Sequence, residues 1–231
     1  MFKKFTFIVT TIVVFGLFQS SPATAAPVIT PIGLNPGDTY RLVFVTSTTT
    51  TTTAASSDIN FYNNFVNTLG FAATGISGWT AIGSTASVDA RDNTNTNPTQ
   101  GLGTAIYLLD GSTKVAENNV DLWNGNIAAA INLDETGSGP ISTTVHAGTF
   151  IDGMATAGFS LGDATSSIGS TSSSQTGSGW IFSFASSSNV ELGLYGISGI
   201  LTVAEVPEPA SLALFALGFA GIVCVRRRKI F

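Results

Sequence analysis

Histidine chemistry has a single candidate in this sequence. His146 is the one histidine among 231 residues, so a metal site built from several histidine ligands is excluded. A Ser-His-Asp triad would also have to use this residue. Because His146 lies between Val145 and Ala147 in a predicted strand, the pattern favours a structural role over catalysis.

Two pairs of acidic residues are the candidates for a metal site. Asp89 with Asp92, and Asp134 with Glu135, would supply the carboxylate oxygens that Ca²⁺ prefers. Calcium is therefore the one cofactor that the sequence suggests. The alternatives are salt bridges to nearby basic residues and plain solvation. Two of these carboxylates would also suit the acid and base of a glycosidase, although no distance between them can be read from the sequence.

Three tryptophans are the candidate ligand platforms. Trp79, Trp123 and Trp180 each offer a flat apolar face that would stack on a sugar ring. Each also lies next to aliphatic residues in a predicted strand or turn. Core packing is the alternative, and the neighbouring residues favour it.

Charge and cysteine content exclude several functions for the middle of the chain. Residues 26–206 contain 13 acidic and three basic residues, a net charge of −10, against −5 for the whole sequence. Such a domain is not expected to bind nucleic acid, which needs cations facing phosphate. The only cysteine is Cys224, so residues 26–206 have no disulfide and must be held together by burial of apolar side chains.

Residues 1–25 have the three parts of a secretory signal peptide. Lys3 and Lys4 precede an apolar run from 5 to 18, and Ala23-Thr24-Ala25 supplies small residues at a cleavage site. Signal peptidase is the expected partner, with cleavage after Ala25. An uncleaved anchor is the alternative, but its apolar core is shorter than the roughly 20 residues of a membrane-spanning helix.

The C-terminus contains a second membrane-directed segment. Residues 210–225 are apolar or small except Ser211, and a helix of this length spans about 24 Å, close to the roughly 30 Å hydrocarbon core of a bilayer. Residues 226–231 begin with four cations, which the positive-inside rule places in the cytoplasm. The sequence therefore predicts a transmembrane helix at 210–225, a basic cytoplasmic tail at 226–231 and an extracellular globular domain at 26–204.

The order of linker, helix and cations resembles the PEP-CTERM sorting signal of exported bacterial proteins. Residues 205–209 are the motif linker. The motif residues are Val206, Pro207, Glu208 and Pro209, and the terminal cations are Arg226, Arg227, Arg228 and Lys229. The resemblance implies that exosortase, a membrane protease, recognises and cuts this tail, so that the anchor is transient. It also implies a bacterium that makes extracellular polysaccharide.

One main helix and several short strands are predicted for residues 26–204. The helix over 59–69 begins at a cap, Ser57 or Asp58, and ends at Gly70. Asp110-Gly111 predicts a hairpin between strands at 106–109 and 113–116. The other predicted strands are 40–45, 78–82, 145–151, 180–184 and 192–203, and the predicted loops include 46–53, 90–103 and 162–179.

These elements predict an α+β domain with short antiparallel strands and long loops. The segments 78–82, 87–92, 106–111, 114–118, 121–123 and 131–135, in this order after the helix, resemble endostatin-like domains with the C-type-lectin-like fold. The disulfides common in that fold are absent, and so is its Glu-Pro-Asn or Gln-Pro-Asp motif. The resemblance therefore does not imply sugar binding through the usual calcium site. An all-β sandwich is the alternative fold.

Two hypotheses for function follow from these features. The first is a non-enzymatic protein at the cell surface or outside the cell, which binds or builds an exopolysaccharide or biofilm matrix. The second is a secreted carbohydrate-active hydrolase that uses paired carboxylates. The cation-poor domain between two membrane-directed ends favours the first.

Overall fold

The computed structural model describes residues 29–50, 56–139, 144–170, 175–187 and 189–205. The predicted signal peptide at 1–25, transmembrane helix at 210–225 and basic tail at 226–231 lie outside these ranges. Among the described residues, no helix combines the length and the apolar character needed to cross a bilayer. The described part of the chain is a mixture of helices and strands, which confirms the predicted α+β class.

The elements are short apart from the first strand and the first helix. The strands are β1 (Thr39–Val45), β2 (Thr80–Ala81), β3 (Ala105–Leu108), β4 (Lys114–Ala116), β5 (Thr144–His146), β6 (Thr165–Ser170), β7 (Phe184–Ser187), β8 (Tyr195–Ile197) and β9 (Leu201–Thr202). The α-helices are α1 (Ile59–Thr74), α2 (Ala90–Asn93) and α3 (Asn119–Leu122), and Ser178–Trp180 forms a 3₁₀ turn.

The strands form two sheets. In the main sheet the order is β2-β8-β1-β3-β4, and β9 also pairs with β1. The second sheet has the order β5-β6-β7 and is antiparallel. In the main sheet β1 runs parallel to β3, which corrects the expectation of antiparallel strands throughout. The physical reason is the long connection through α1, β2 and α2, because such a crossover returns the chain in its original direction.

The strand β1 supplies apolar side chains to two cores. Tyr40, Leu42 and Phe44 pack in a cluster with α1, whereas Val43 and Val45 belong to a second cluster. All five side chains are fully buried. Successive side chains of a strand point to opposite faces, so the main sheet is covered on both sides. Since α1 covers one of these faces, the domain differs from the β-sandwich alternative, in which a second sheet would lie there.

The helix α1 begins where the sequence predicts and continues one turn further. Asp58 is the N-cap, and its side chain accepts a hydrogen bond from the Asn60 amide at 3.0 Å. The predicted stop at Gly70 is wrong, because the helix ends at Gly75, whose φ of 71° suits a glycine C-cap. Gly70 lies inside the helix for a packing reason. A Cβ at this position would come within 2.7 Å of the Trp79 ring, so glycine permits the close contact.

Four other predicted elements also differ from the structure. The predicted loop at 162–179 contains β6, whose serines and threonine are held in extended form by pairing with β5 and β7. The predicted strand at 180–184 is a 3₁₀ turn followed by the start of β7. The predicted strand at 192–203 is divided into β8 and β9, and the predicted loop at 90–103 begins with α2.

Candidate functional site

The predicted sorting signal follows directly on the last strand. Val203 is 9 % exposed, its amide donates to the Asp38 carbonyl at 2.9 Å, and its carbonyl accepts from the Gly37 amide at 3.0 Å. The described residues end at Glu205. The motif residues Val206, Pro207, Glu208 and Pro209 and the cations Arg226, Arg227, Arg228 and Lys229 lie outside the described residues. The folded domain therefore reaches to within two residues of the predicted motif.

The three tryptophans lie in the core. Trp79 is 1 % exposed and donates from its indole N–H to the Ile76 carbonyl at 2.8 Å. Trp123 and Trp180 are also buried, with ring centroids 5.8 Å apart. None of these indoles presents a face to solvent, so stacking on a sugar ring would require the core to open. All three tryptophans pack in the core, which is the alternative that their neighbours in the sequence favour.

The candidate calcium ligands are engaged with protein hydrogen-bond donors. Asp89 accepts from the Ala155 amide at 2.8 Å, and Asp92 accepts from an Asn97 amide group at 2.6 Å. Asp134 accepts from the backbone amides of residues 136 and 138, and Glu135 accepts from the Ser47 amide at 2.8 Å. Among the described residues, no three His, Cys, Asp or Glu side chains come together as a metal site would need.

The single histidine forms a buried pair with a serine. His146 and Ser166 are fully buried, and the Ser166 hydroxyl lies 2.5 Å from His146 Nδ1. His146 Nε2 lies 2.8 Å from the Val190 carbonyl, so the neutral ring donates there and accepts from the serine. Burial lowers the pKa of His146, although the bond to Val190 opposes this effect. The pair resembles half of a triad, but it joins β5, β6 and the Val190 loop with no access for a substrate.

A second serine motif was missed in reading the sequence. Gly158-Phe159-Ser160-Leu161-Gly162 has the Gly-x-Ser-x-Gly spacing of a hydrolase nucleophile. Ser160 is 1 % exposed, its hydroxyl donates to the Thr156 carbonyl at 3.1 Å, and no helix begins within residues 161–170. A nucleophile elbow instead presents its serine on a strained turn between a strand and a helix. The sole histidine, moreover, bonds Ser166, so the structure does not provide the arrangement that the motif would require.

Arg41 is a buried cation inside β1. It is 3 % exposed, and its guanidinium donates to the carbonyls of Thr94, Asn95 and Ser198 at 2.8–3.1 Å. These contacts tie the loop after α2 and the turn after β8 to the central strand. Its position as a lone charge within an otherwise apolar run, Tyr-Arg-Leu-Val-Phe-Val, is the signal that could have identified it.

A polar cleft lies beside the β3–β4 hairpin. It has a volume of about 430 Å³, within the range of small-ligand sites. Asp110 and Thr113 of the hairpin turn line one side, and the segment 128–133 lines the other with Thr176. This segment, which we call the cleft segment, is fixed at both ends. The Ala128 amide donates to the Val115 carbonyl at 2.8 Å, and the Leu133 carbonyl accepts from the Val45 amide at 2.9 Å.

Between these two anchors the cleft segment offers free polar groups. In the described part of the chain, the backbone amides and carbonyls of residues 129–132 have no protein hydrogen-bond partner. The same holds for the Asn132 side chain and the Thr176 hydroxyl, both of which line the cleft. Backbone polar groups of a folded protein are otherwise almost all paired, with protein, water or ligand. The cleft lining therefore includes the Asn132 side chain and the Thr176 hydroxyl as donors and acceptors that an uncharged polar ligand can use.

Asp110 gives the rim of the cleft a negative charge. Its carboxylate accepts from the amides of Ser112 and Thr113, each at 2.8 Å. Burial raises the pKa of Asp110, but the hydrogen bonds from Thr113 and Ser112 together lower it below its usual value. The group is thus ionised at neutral pH, which disfavours anionic ligands in the cleft. From the sequence, Asp110 is predicted only as a turn residue, and no sequence motif indicates this cleft.

Comparison with known proteins bears on the C-terminal segment. Residues 205–229 match the family model described as the PEP-CTERM protein-sorting motif. No curated protein matches the chain. The match covers the predicted motif linker, the apolar run and the four cations, and it indicates an exported, envelope-associated protein that is sorted by exosortase.

Proposed function

We propose that the domain acts outside the cell as a non-enzymatic component of an exopolysaccharide or biofilm matrix and binds saccharide in the cleft beside β3 and β4. The sorting motif at residues 205–229 is the observation that carries the extracellular part of this proposal. The unpaired polar groups of the cleft segment support the binding part. The endostatin-like, C-type-lectin-like form of the domain remains part of the proposal, supported by the order of segments in the sequence.

A neutral saccharide suits the cleft better than other small polar ligands. Sugar hydroxyls both donate and accept, as do the Asn132 amide and the Thr176 hydroxyl that line the cleft. Leu108 and Leu133 add apolar surface for the C–H face of a ring. Asp110 disfavours acidic sugars, and the net charge of −10 on residues 26–206 has the same effect at longer range.

Binding is proposed in preference to hydrolysis because of the acids around the cleft. A glycosidase uses two carboxyl groups about 5–9.5 Å apart across the scissile bond. Asp110 is the one acidic residue among the described residues that line the cleft, and it is bonded to its own turn. The hydrolase hypothesis is tested by the same experiment as binding, since hydrolysis releases shortened sugars.

The membrane-directed segments complete the proposal. Signal peptidase removes residues 1–25, and the apolar run at 210–225 holds the exported chain briefly until exosortase acts near Pro207. The basic residues 226–231 remain on the cytoplasmic side up to that step. The motif match supports the exosortase step, and the composition of the two ends supports the rest.

Glycan binding is tested with the exported protein recovered from a host that expresses the full chain. A glycan array is run with and without calcium, because Asp89, Asp92, Asp134 and Glu135 remain proposed calcium ligands. We expect neutral glycans to bind and Asn132→Ala to weaken binding at least tenfold, with little change for Asn126→Ala, an exposed asparagine outside the cleft lining. Equal binding by both variants would refute the cleft, and release of shortened glycans would favour the hydrolase.

Sorting is tested separately by mass spectrometry of the mature protein. We expect the C-terminal cations to be missing from wild-type protein and retained when Pro207, Glu208 and Pro209 are all replaced by alanine. An intact 226–231 end on the wild-type protein would refute transient anchoring. This result is independent of whether the cleft binds glycans.

A further inference from the structure

The outer face of α1 is uncharged and exposes two phenylalanines beside Asn60, Asn64 and Thr68. Phe61 is 42 % exposed and Phe71 is 53 % exposed, and Thr68 and Ala72 are exposed as well. No residue from 59 to 88 is charged, so the whole helix lacks the charged face that a surface helix normally shows. The opposite face packs on the sheet through Ile59, Tyr62 and Val66, so α1 carries large apolar side chains on two sides.

Four residues form a continuous stripe along this outer face. At about 100° per residue, Phe61, Phe65, Thr68 and Ala72 fall within about 60° of one another on the helix surface. Phe61 and Phe65, with Asn64, Thr68 and Leu69, also line a shallow groove of about 360 Å³. We call Phe61, Phe65, Thr68 and Ala72 the α1 stripe. Large side chains occupy its first half and small ones its second half.

This order of large and small side chains makes the stripe complementary to itself. If two α1 helices lie antiparallel about a two-fold axis between residues 65 and 68, Phe61 of one copy faces Ala72 of the other. In the same register Phe65 faces Thr68. Each bulky ring thus meets a small residue, which is the requirement for packing the ridge of one helix into the groove of its partner. A two-fold interface needs such self-complementarity, since the same patch serves both copies.

We propose that the domain forms a two-fold dimer through antiparallel packing of its α1 stripes, a property that goes beyond the proposed sugar binding. Charge favours this face for self-association. Residues 26–206 carry a net charge of −10, so two copies repel each other over most orientations. When two copies approach through α1, only uncharged side chains meet. A basic partner protein would instead bind the acidic surfaces of the domain.

The size of the stripe sets the strength of the dimer. The half-exposed Phe61 and the partly buried Phe65, with their neighbours, bury on the order of a few hundred Å² per copy, against about 800 Å² in a stable interface. We therefore expect a weak dimer, with a dissociation constant on the order of 100 µM. Such a dimer forms where the protein is concentrated, as at a surface or in a matrix.

The test measures self-association of the exported protein by sedimentation from micromolar to millimolar concentration. Ala72→Glu places two charges in the interface and should weaken the dimer at least tenfold. Ala73→Glu is the matched control, because it makes the same change at the next exposed residue, about 100° away from the stripe centre. Circular dichroism confirms that both variants keep the fold.

A swap of sizes tests the register itself. Phe61→Ala should weaken the dimer, and adding Ala72→Phe should restore it, because the large-to-small pairing is then reversed but kept. A protein that is monomeric at millimolar concentration would overturn the proposal. The proposal would also be overturned if Ala72→Glu and Ala73→Glu weakened the dimer equally, or if the double variant dimerised no more strongly than Phe61→Ala. Association only with a different protein would overturn it as well.

Discussion

Replacing Gly70 with alanine tests the packing of α1 on the main sheet. Two effects of opposite sign compete at this position. Alanine is favoured over glycine inside a helix by up to about 1 kcal/mol. The new methyl group, however, would lie 2.7–2.8 Å from three atoms of the Trp79 ring, about 1 Å closer than a normal carbon contact.

The Trp79 ring has little freedom to move away. Its N–H donates to the Ile76 carbonyl at 2.8 Å, and its ring makes a T-shaped contact with Phe44 with the ring centroids 4.8 Å apart. Both aromatic rings are buried in the same cluster. Overpacking of a core by one methyl group costs about 1–3 kcal/mol. We therefore expect Gly70→Ala to lower the free energy of unfolding by about 1–2 kcal/mol despite the better helix propensity.

Urea denaturation followed by circular dichroism measures this effect. For a slope of about 2 kcal/mol per molar urea, the midpoint should fall by about 0.5–1 M. Gly199→Ala is the matched control, because a Cβ there meets no atom within 4 Å, and it should leave the midpoint unchanged or raise it slightly. Trp79→Phe in the Gly70→Ala background should recover part of the loss. A Gly70→Ala protein as stable as the wild type would refute this account of the contact.

Three further predictions concern stability. Because the pKa of His146 is lowered in the folded protein, the unfolded chain binds a proton more readily. The free energy of unfolding should therefore be greatest above pH 6.5 and fall below that pH by up to about 1.4 kcal/mol per pH unit. In urea titrations, His146→Gln should remove this pH dependence. Arg41→Met should lower the free energy of unfolding by about 2–4 kcal/mol because it leaves three carbonyls without their donor. The contact of Arg91 with Asp89 is as long as 3.9 Å, so Arg91→Met should lower the free energy of unfolding by less than about 1 kcal/mol. Equal losses for the two variants would contradict the role of Arg41. Asp58→Ala should lower the free energy of unfolding by about 0.5–2 kcal/mol because the helix cap is lost. Ser57→Ala should leave it almost unchanged. If thermal unfolding showed Ser57→Ala to be the less stable variant, the assignment of Asp58 as the cap would be contradicted.

The elements predicted correctly are those with a local cause. β1 is a run of mainly apolar residues that is long enough to predict a strand without reference to other parts of the chain. The hairpin of β3 and β4 follows from Asp110-Gly111, since the turn sets the pairing. The sequence predicts that either Ser57 or Asp58 caps α1, and in the structure the N-cap is Asp58. Each of these signals acts over a few residues.

The elements that were missed depend on contacts distant in sequence. Gly70 was interpreted as a helix stop because nothing nearby shows that Trp79 will lie against it. β6 is rich in serine and glycine, and it is a strand only because β5 and β7 flank it. The cleft joins a turn at Asp110 to the cleft segment and Thr176, which no spacing in the sequence brings together.

The hydrogen bonds of Val203 limit how far the domain can stand from the enzyme that processes its tail. Pro207 lies four residues after Val203, and even a fully extended chain covers at most about 14 Å over four steps. A protease that acts at Pro207 therefore works beside the folded domain, with the paired ends of β1 and β9 as its nearest neighbours. We therefore expect a bulky group added to that edge to slow a cut at Pro207.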